Sequence, residues 1–339
     1  MKAIIFNGPD ASLTLEDIAD PKPAAGELVI RVQRCGICGS DVHLTKEHGF
    51  FPVGGVIGHE FAGEVVAVGR GVEGFREGDI ITAMPGAGCG ECEPCRRFGP
   101  LTCIHGADMV AGGFAEYTRV KAATSIKLPA SLTLADGALI EPMAVSLHGV
   151  RLANITSETR VVVLGTGAIG LAAIFWAKQA GAGRVVAASR SDRHAQLAQL
   201  MGAEAFVKTG DGEAQRVADV LGGAPQVVIE CIGVEGALNQ CIMMAQPGGT
   251  VVSLGFCTKP DVVVPALATY RHVSLAFSMA YSLDDFETVA RTFDKGHVEA
   301  RSMITETIPL AAVADTIEQL RAGRGDAKVQ VDPWMNPTG

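Results

Sequence analysis

The spacing of apolar and polar residues divides the chain into two parts of different character. In the first part, short β-prone runs separated by glycine and proline occur at residues 3–6, 28–33, 64–68 and 79–82. This pattern predicts strands joined by turns, with little helix. In the second part, residues 160–164 form a continuous apolar run, which is typical of a strand buried on both faces of a sheet.

Strand-like and helix-like segments alternate after that run. Further strands are predicted at residues 184–188, 205–207, 226–230 and 250–254. The helical stretches between them are predicted at residues 171–179, 192–201, 213–221 and 235–245. Such alternation predicts an α/β fold with a parallel, doubly wound sheet. The tail over residues 284–321 is predicted to be mostly helical.

A glycine-rich loop directly follows the first buried strand and opens a helix. Its residues are Gly165, Gly167, Ala168, Ile169 and Gly170. The first glycine permits a tight turn, the second lets a pyrophosphate approach the backbone, and the third lets helix and strand pack closely. The loop therefore predicts a dinucleotide site at the helix N-terminus. The alternative is a glycine-rich turn without a ligand.

The end of the next strand favours one cofactor over the other. NAD-binding loops place an acidic residue about 20 positions past the glycines. Here that position holds Ser189, followed by Arg190 and nearby Arg193. A hydroxyl and guanidinium groups suit a 2′-phosphate, so NADP(H) is favoured. NAD(H) stays open, because Arg190 could instead be a solvated surface charge or stack on an adenine.

Four of the nine cysteines lie on one short segment, at Cys89, Cys92, Cys95 and Cys103. Four thiolates can close a tetrahedral zinc shell that has no open position, so we expect a structural zinc lobe over residues 86–106. An iron–sulfur cluster uses the same ligands and is the alternative. Four free thiols on an exposed loop would be prone to oxidation.

Length and charge limit the classes of partner. The 339 residues allow two domains, and the net charge of −9 with no basic cluster disfavours nucleic-acid binding. No apolar run approaches the roughly 20 residues needed to span a membrane. The first residues lack the apolar core and cleavage site of a signal peptide, so we expect a cytoplasmic protein.

A second group of candidate metal ligands is dispersed along the chain. Cys38 follows a strand, His59 and Glu60 are adjacent, and Glu141 precedes the predicted dinucleotide domain. A thiolate, an imidazole and a carboxylate form a mixed zinc shell that leaves one position for water or substrate. Each residue alone could equally be a core thiol, a core histidine or a surface charge.

Taken together, these motifs resemble those of the zinc-containing medium-chain alcohol dehydrogenases, particularly the sorbitol and threonine dehydrogenase branch. The matching segments extend over nearly the whole chain, at residues 36–43, 58–60, 89–103, 141–142 and 165–170. The resemblance implies a Rossmann domain inserted in a chaperonin-10-like, β-rich catalytic domain. The implied boundaries are 1–141 and 277–339 for the catalytic domain and 142–276 for the Rossmann domain.

The resemblance also implies roles for individual residues in a catalytic zinc site. Cys38 and His59 would bind zinc, and Glu60 would either bind it or lie next to the residues that do. Glu141 would be the last ligand, alternating with water. Asp41 would orient His59.

Further roles follow from the same resemblance. Ser40 and His43 would relay the proton. Lys328 matches a position that contacts the cofactor pyrophosphate, although an ordinary surface lysine is nearly as consistent with the sequence.

Two departures concern the substrate. Leu44 and Ser278 stand where sorbitol dehydrogenases carry a tyrosine and an arginine that bind polyols, and Phe50 and Phe51 add apolar surface. We therefore predict a zinc alcohol dehydrogenase or ketone reductase that uses a secondary or cyclic alcohol, two zinc ions per chain and NADP(H), assembled as a homodimer or homotetramer. Strands at residues 250–254 and 262–264 could pair between subunits.

Two alternatives accompany this prediction. The first is an NAD-dependent polyol or threonine dehydrogenase. The second is a non-catalytic, zinc-stabilised dinucleotide-binding redox sensor, which would be expected to have a degraded mixed shell.

Overall fold

The computed structural model describes residues 1–110 and 112–336, which fold as two units. The first unit holds Met1–Glu141 together with the chain from Tyr281 onward. The second unit holds Pro142–Ala280 and is therefore inserted between the two separated pieces of the first.

Strands and helices are numbered along the chain. The strands are β1 Lys2–Phe6, β2 Thr14–Asp17, β3 Glu27–Gly36, β4 Gly55–Val56, β5 Glu60–Val68, β6 Ile80–Ala83, β7 Gly86–Ala87, β8 Asp108–Met109, β9 Tyr117–Lys121, β10 Ser125–Lys127, β11 Arg160–Leu164, β12 Arg184–Ser189, β13 Ala205–Lys208, β14 Val227–Glu230, β15 Thr250–Ser253, β16 Ser274–Phe277, β17 Ile304–Pro309 and β18 Lys328–Asp332. The α-helices are α1 Gly39–Leu44, α2 Glu93–Phe98, α3 Leu134–Leu152, α4 Ala168–Gln179, α5 Ala195–Leu200, α6 Glu213–Leu221, α7 Ala237–Met244, α8 Pro265–Tyr270, α9 Leu283–Asp294 and α10 Val313–Arg321. Short 3-10 helices cover Pro100–Thr102, Ala122–Thr124, Glu299–Met303 and Leu310–Ala312.

The first unit is built around the long strand β3. The main sheet has the order β10-β6-β5-β3-β18-β17, and β9 also pairs with β3. β18 lies antiparallel to β3, with Gln330 opposite Gly36. This pairing joins the C-terminal piece of the chain to the N-terminal piece. Fully buried Phe61 and Phe114 fill the core beside these strands.

The second unit contains a six-stranded parallel sheet in the order β13-β12-β11-β14-β15-β16. This is the strand order of a doubly wound dinucleotide-binding sheet. Val162, Val186 and Val228 lie side by side with no exposed surface, as expected for central strands covered on both faces. The predicted α/β class, with a parallel sheet inserted in a β-rich unit, is confirmed.

One helix was missed, and one expectation about an individual strand was wrong. Helix α3 was missed, because consecutive buried residues such as Leu139 and Ile140 hide its helical period. The tail over residues 284–321 is mostly helical, as predicted, but it also contains the strand Ile304–Pro309, which pairs in parallel with β18. Thr250–Ser253 is not a sheet edge, because it lies between β14 and β16.

In the part of the chain that the structure describes, no helix combines the length and apolarity needed to span a bilayer.

The N-terminal turn of α3 is anchored by an ion pair between a buried carboxylate and an exposed arginine. The Asp136 side chain has no exposed surface and accepts hydrogen bonds from Arg301 at 2.6 and 2.8 Å. Burial alone raises the pKa of Asp136, but the hydrogen bonds from Arg301 and Thr133 outweigh it and hold the pKa below its usual value. Gln330 Nε2 donates to the Ala135 carbonyl at 2.9 Å and ties the same turn to β18.

We predict that Arg301→Met lowers the free energy of unfolding by about 2 kcal/mol at neutral pH, because it leaves a buried carboxylate without its charged partner. The pKa of Asp136 is depressed in the folded state, so the pair stabilises above the usual carboxyl pKa and the stabilisation fades as the pH falls. Urea denaturation at several pH values measures this. Arg291→Met, which breaks the exposed pair with Glu287, is the control and should cost less than about 0.5 kcal/mol. Equal losses in both variants would contradict the prediction.

Candidate functional site

Three of the predicted ligands meet where β3 and β5 lie side by side. Cys38 begins helix α1 just past the end of β3, and His59 and Glu60 lie at the start of β5. The strands are antiparallel, with Gly36 opposite Glu60, so the two segments arrive at the same end of the sheet. One ligand atom from each of Cys38, His59 and Glu60 lies within 4.8 Å of the others. We call these three residues the mixed group.

Asp41 fixes the orientation of two members of the mixed group. Its buried carboxylate accepts a hydrogen bond from the Cys38 backbone N–H at 2.9 Å, and its Oδ1 lies 3.5 Å from His59 Nδ1. Burial lowers the pKa of His59, but the Asp41 carboxylate more than offsets it, and the pKa lies well above its usual value. Since Nδ1 faces Asp41, the other ring nitrogen is available to a metal.

Lys328 is not a surface lysine. It is buried, and its Nζ lies 2.7 Å from both Glu60 carboxylate oxygens and 3.1 Å from the Ile37 carbonyl. The contact with a pyrophosphate stays a prediction, whereas the alternative of an ordinary surface lysine is wrong, because the side chain is buried. The cause is the pairing of β18 with β3, which places the start of β18 beside Ile37. Burial lowers the pKa of Lys328, but the Glu60 carboxylate raises it above its usual value.

Glycine at position 36 is required by the Glu60 side chain. A Cβ atom there would lie 1.9 Å from Glu60 Oε2, so any larger residue would displace the carboxylate. The motif glycine before Cys38 therefore makes room for the carboxylate of the mixed group.

Glu141 is not among the residues whose ligand atoms meet in the mixed group, although the charges of His59 and Glu60 act on it. It is buried on α3, and its Oε1 accepts a hydrogen bond from the Tyr281 hydroxyl at 3.0 Å. Burial raises the pKa of Glu141 to about 7; the His59 charge acts in the opposite direction, and the Glu60 carboxylate adds to the increase. Tyr281 was missed in the sequence, because a single tyrosine outside any motif gives no signal of its partner.

Ser40 and His43 both lie on α1, which Cys38 begins. Ser40 is half-buried and His43 is exposed. Residues three apart share one helix face, so an arrangement leading from the mixed group toward solvent is compatible with their positions. The relay itself stays a prediction.

The four predicted lobe cysteines are brought together. One sulfur from each of Cys89, Cys92, Cys95 and Cys103 lies within 4.8 Å of the others. Backbone N–H groups of Cys89 and Cys92 point at the sulfurs of Cys103 and Cys89, at 3.3 and 3.4 Å. Burial raises the pKa of Cys95 to about 12, so a cation is the natural means of keeping all four as thiolates. All four candidate donor atoms of the lobe are sulfur, whereas the mixed group offers a sulfur, a nitrogen and an oxygen donor.

The glycine loop lies between β11 and α4, as predicted. Gly165 has a φ of +93°, and a Cβ at Gly170 would lie 1.8 Å from the Gly165 carbonyl oxygen, so both positions need glycine for the fold itself. Gly167 differs, because a Cβ there would meet nothing within 4 Å. Its missing side chain leaves space beside the N–H groups of Ala168 and Ile169, which suits a bound phosphate.

Ser189 ends β12, and Arg190 and Arg193 follow on the surface. β12 is the neighbour of β11 in the sheet, so the three residues lie at the strand end next to the glycine loop. The structure places no carboxylate at this position. Their role toward a 2′-phosphate stays a prediction.

The apolar residues expected around the substrate do not lie together on a surface. Leu44 is buried, and the Phe51 ring packs edge-on against Phe6 in the core of the first unit, with centroids 5.9 Å apart. Phe50 remains exposed. Of the three side chains, Phe50 has the largest exposed fraction.

Comparisons with known proteins agree with this architecture. A family model described as an alcohol dehydrogenase GroES-like domain matches residues 24–130, and one described as a zinc-binding dehydrogenase matches residues 168–295. A Gallus gallus sorbitol dehydrogenase is 30% identical over 325 residues, covering 92% of this chain and 91% of that protein.

Two solved structures show the same fold with different cofactors. A putative zinc-binding dehydrogenase from Sinorhizobium meliloti 1021 bound to NADP has a TM-score of 0.90 and 32% identity, covering 98% of this chain and 99% of the other. The RspB alcohol dehydrogenase of Escherichia coli CFT073 complexed with NADH has a TM-score of 0.89 and 29% identity, with the same coverage.

We predict that the purified protein binds about two zinc ions per chain, because it holds one all-sulfur and one mixed group of ligands. Cys38→Ser should lose one ion and keep the fold, whereas Cys95→Ser should lose the other and unfold at lower temperature. Elemental analysis with thermal melting measures both effects. Cys241→Ser, at a buried thiol outside both groups, is the control and should keep both ions. A wild-type protein that binds only one ion, or a Cys38→Ser variant that binds as much zinc as the wild type, would contradict the assignment.

Proposed function

The chain belongs to the zinc-dependent medium-chain alcohol dehydrogenases, oxidoreductases that act on CH–OH groups, and from this we propose that it interconverts secondary or cyclic alcohols and their ketones with NADP(H). The observation that carries the proposal is the mixed group of Cys38, His59 and Glu60. A thiolate, an imidazole and a carboxylate in contact are a donor set that catalytic zinc uses.

The residues of the mixed group fit a zinc ion. Zinc bound there would act as a Lewis acid that favours the alkoxide form of the alcohol and polarises the ketone. Asp41 holds Cys38 and His59 in place from behind, and Lys328 holds the Glu60 carboxylate. Ser40 and His43 would pass the alcohol proton along α1 to solvent.

The choice of NADP(H) rests on the strand end at Ser189. A carboxylate there would repel a 2′-phosphate, whereas Ser189, Arg190 and Arg193 offer a hydroxyl and two guanidinium groups. The Sinorhizobium meliloti relative bound to NADP supports this choice, while the Escherichia coli relative bound to NADH makes NAD(H) the competing cofactor.

We predict that Arg190→Ala lowers kcat/KM for NADPH by roughly tenfold or more and changes kcat/KM for NADH by less than about twofold, because one charge-assisted contact to the 2′-phosphate is lost. Steady-state kinetics with both cofactors measures the ratio. Arg184→Ala is the control, because Arg184 is at the opposite end of the same strand and pairs with Glu204. A similar loss with both cofactors would refute selection by Arg190.

The substrate class is proposed from groups that are missing. Leu44 is apolar and buried, and Ser278 has a single hydroxyl in place of a guanidinium group, so the two positions offer fewer hydrogen bonds than a buried polyol would need. The similarity to sorbitol dehydrogenases favours the competing function, an NAD-dependent polyol or threonine dehydrogenase.

A substrate panel separates these functions. We predict that kcat/KM on cyclohexanol or 2-butanol exceeds that on sorbitol, xylitol and L-threonine by at least about tenfold, since each unpaired buried hydroxyl costs about 1 kcal/mol or more. The panel should be run with NADP and with NAD. Equal or faster turnover of sorbitol would establish the polyol function instead. Absence of turnover on every alcohol, with both cofactors bound, would favour a redox sensor.

We propose further that the protein is a cytoplasmic homodimer or homotetramer. β16 is the outer strand of the parallel sheet within the described residues, and Leu275 and Phe277 on it are exposed. An unpaired, apolar strand edge is stabilised by pairing with another copy. None of the nine cysteines, all of which lie within the described residues, forms a disulfide, which supports a reducing compartment.

A further inference from the structure

One predicted ligand, Glu141, is held by a partner of its own. The Tyr281 hydroxyl donates to Glu141 Oε1 at 3.0 Å, and both side chains are almost fully buried, at 2% and 6% exposure. A buried carboxylate near a cation is drawn toward it unless another group holds it. The tyrosine hydroxyl is the group that does so here.

Both partners of this hydrogen bond are fixed by the first unit. Glu141 lies on α3, whose first turn is locked by the Asp136–Arg301 pair. The Tyr281 ring stacks on Phe286, with centroids 5.7 Å apart and planes 9° from parallel. The carboxylate therefore cannot move toward the mixed group without breaking the hydrogen bond.

The four-cysteine lobe touches the backbone of the same tyrosine. Gly99 lies between Cys95 and Cys103, and a Cβ atom there would lie 1.8 Å from the Tyr281 carbonyl oxygen. The lobe backbone is thus packed directly against the residue that holds Glu141. A structural change in the lobe can therefore alter the position of Tyr281, and with it the position of Glu141 relative to the mixed group.

We propose that Tyr281 is a positioning residue that tethers Glu141 outside the mixed group, keeping one metal coordination position open for the substrate oxygen, and that the four-cysteine lobe seats this tyrosine through Gly99. The inference rests on the proposed function, because it requires a metal at the mixed group. It gives the lobe a part in setting the geometry of the reacting site as well as in stability.

Tyr281→Phe in the whole enzyme tests the tether. Without the hydroxyl, Glu141 is released to bind the metal, and the substrate must displace it. We expect KM for the alcohol to rise about tenfold, the size of one hydrogen bond to a charged group, with a smaller change in kcat. Tyr117→Phe, which removes a hydroxyl elsewhere in the first unit, is the matched control and should leave both constants unchanged.

Cobalt(II) substitution gives a readout that a general structural defect would not reproduce. The difference between the visible spectra of the wild type and Cys38→Ser isolates the mixed group. In Tyr281→Phe this difference spectrum should change, and adding Glu141→Gln should restore the wild-type form. Gly99→Ala should produce the same change as Tyr281→Phe while the absorption from the four-thiolate site is retained.

The outcomes distinguish a failure of the Tyr281–Glu141 tether from a failure of the proposed function. If Tyr281→Phe leaves KM and the difference spectrum unchanged, or changes them equally when Glu141→Gln is present, the tether is wrong and the proposed function stands. If Gly99→Ala has the wild-type spectrum, the lobe does not seat the tyrosine. If the wild type and Cys38→Ser bind the same amount of cobalt, the mixed group binds no metal, and both the tether and the proposed function are overturned.

Discussion

The buried ion pair between Lys328 and Glu60 is the interaction on which the rest of the first unit depends. It joins the last strand of the chain to the first residue of β5, across the insertion of a complete second unit. Removing one partner from such a pair leaves an uncompensated buried charge, at a cost of about 3–5 kcal/mol. Gly36 is needed because the carboxylate occupies the space of a side chain, and Ile37 supplies the third acceptor for Lys328 Nζ. The position of Glu60 beside Cys38 and His59 follows from these contacts.

The two groups of metal ligands are suited to different tasks because their chemistry differs. The lobe cysteines offer four equivalent sulfurs, which complete a tetrahedron and leave nothing for a substrate. The mixed group offers three different donors, and the candidate fourth, Glu141, is bonded to Tyr281 instead. An open position is what an enzyme acting on an alcohol needs. The contact between Gly99 and Tyr281 lies within the first unit and connects the four-cysteine lobe to the residue that holds Glu141.

Local pattern was enough to predict much of this molecule. The alternation of apolar runs with helical stretches predicted the parallel sheet. The motifs around Cys38 and Cys89 predicted two groups of residues that the structure brings together, and the Gly165 motif predicted the loop between β11 and α4. Local pattern could not predict which residues pair when they are far apart in the sequence. The ion pair of Lys328 with Glu60 was missed because the two residues are 268 positions apart in the sequence. The hydrogen bond of Tyr281 to Glu141 was missed for the same reason. Ile304–Pro309 becomes a strand because β18 lies beside it. A single-sequence pattern contains no information on such neighbours.

The central claim is that the mixed group is a metal site distinct from the four-cysteine lobe. Crystals of the purified enzyme, measured on both sides of the zinc absorption edge, test it directly through anomalous difference maps. We predict two peaks in each chain: one among the four lobe sulfurs, and one bounded by Cys38 Sγ, a ring nitrogen of His59 and a carboxylate oxygen of Glu60. A map with a peak in the lobe and none at the mixed group, from protein active with an alcohol, would contradict it.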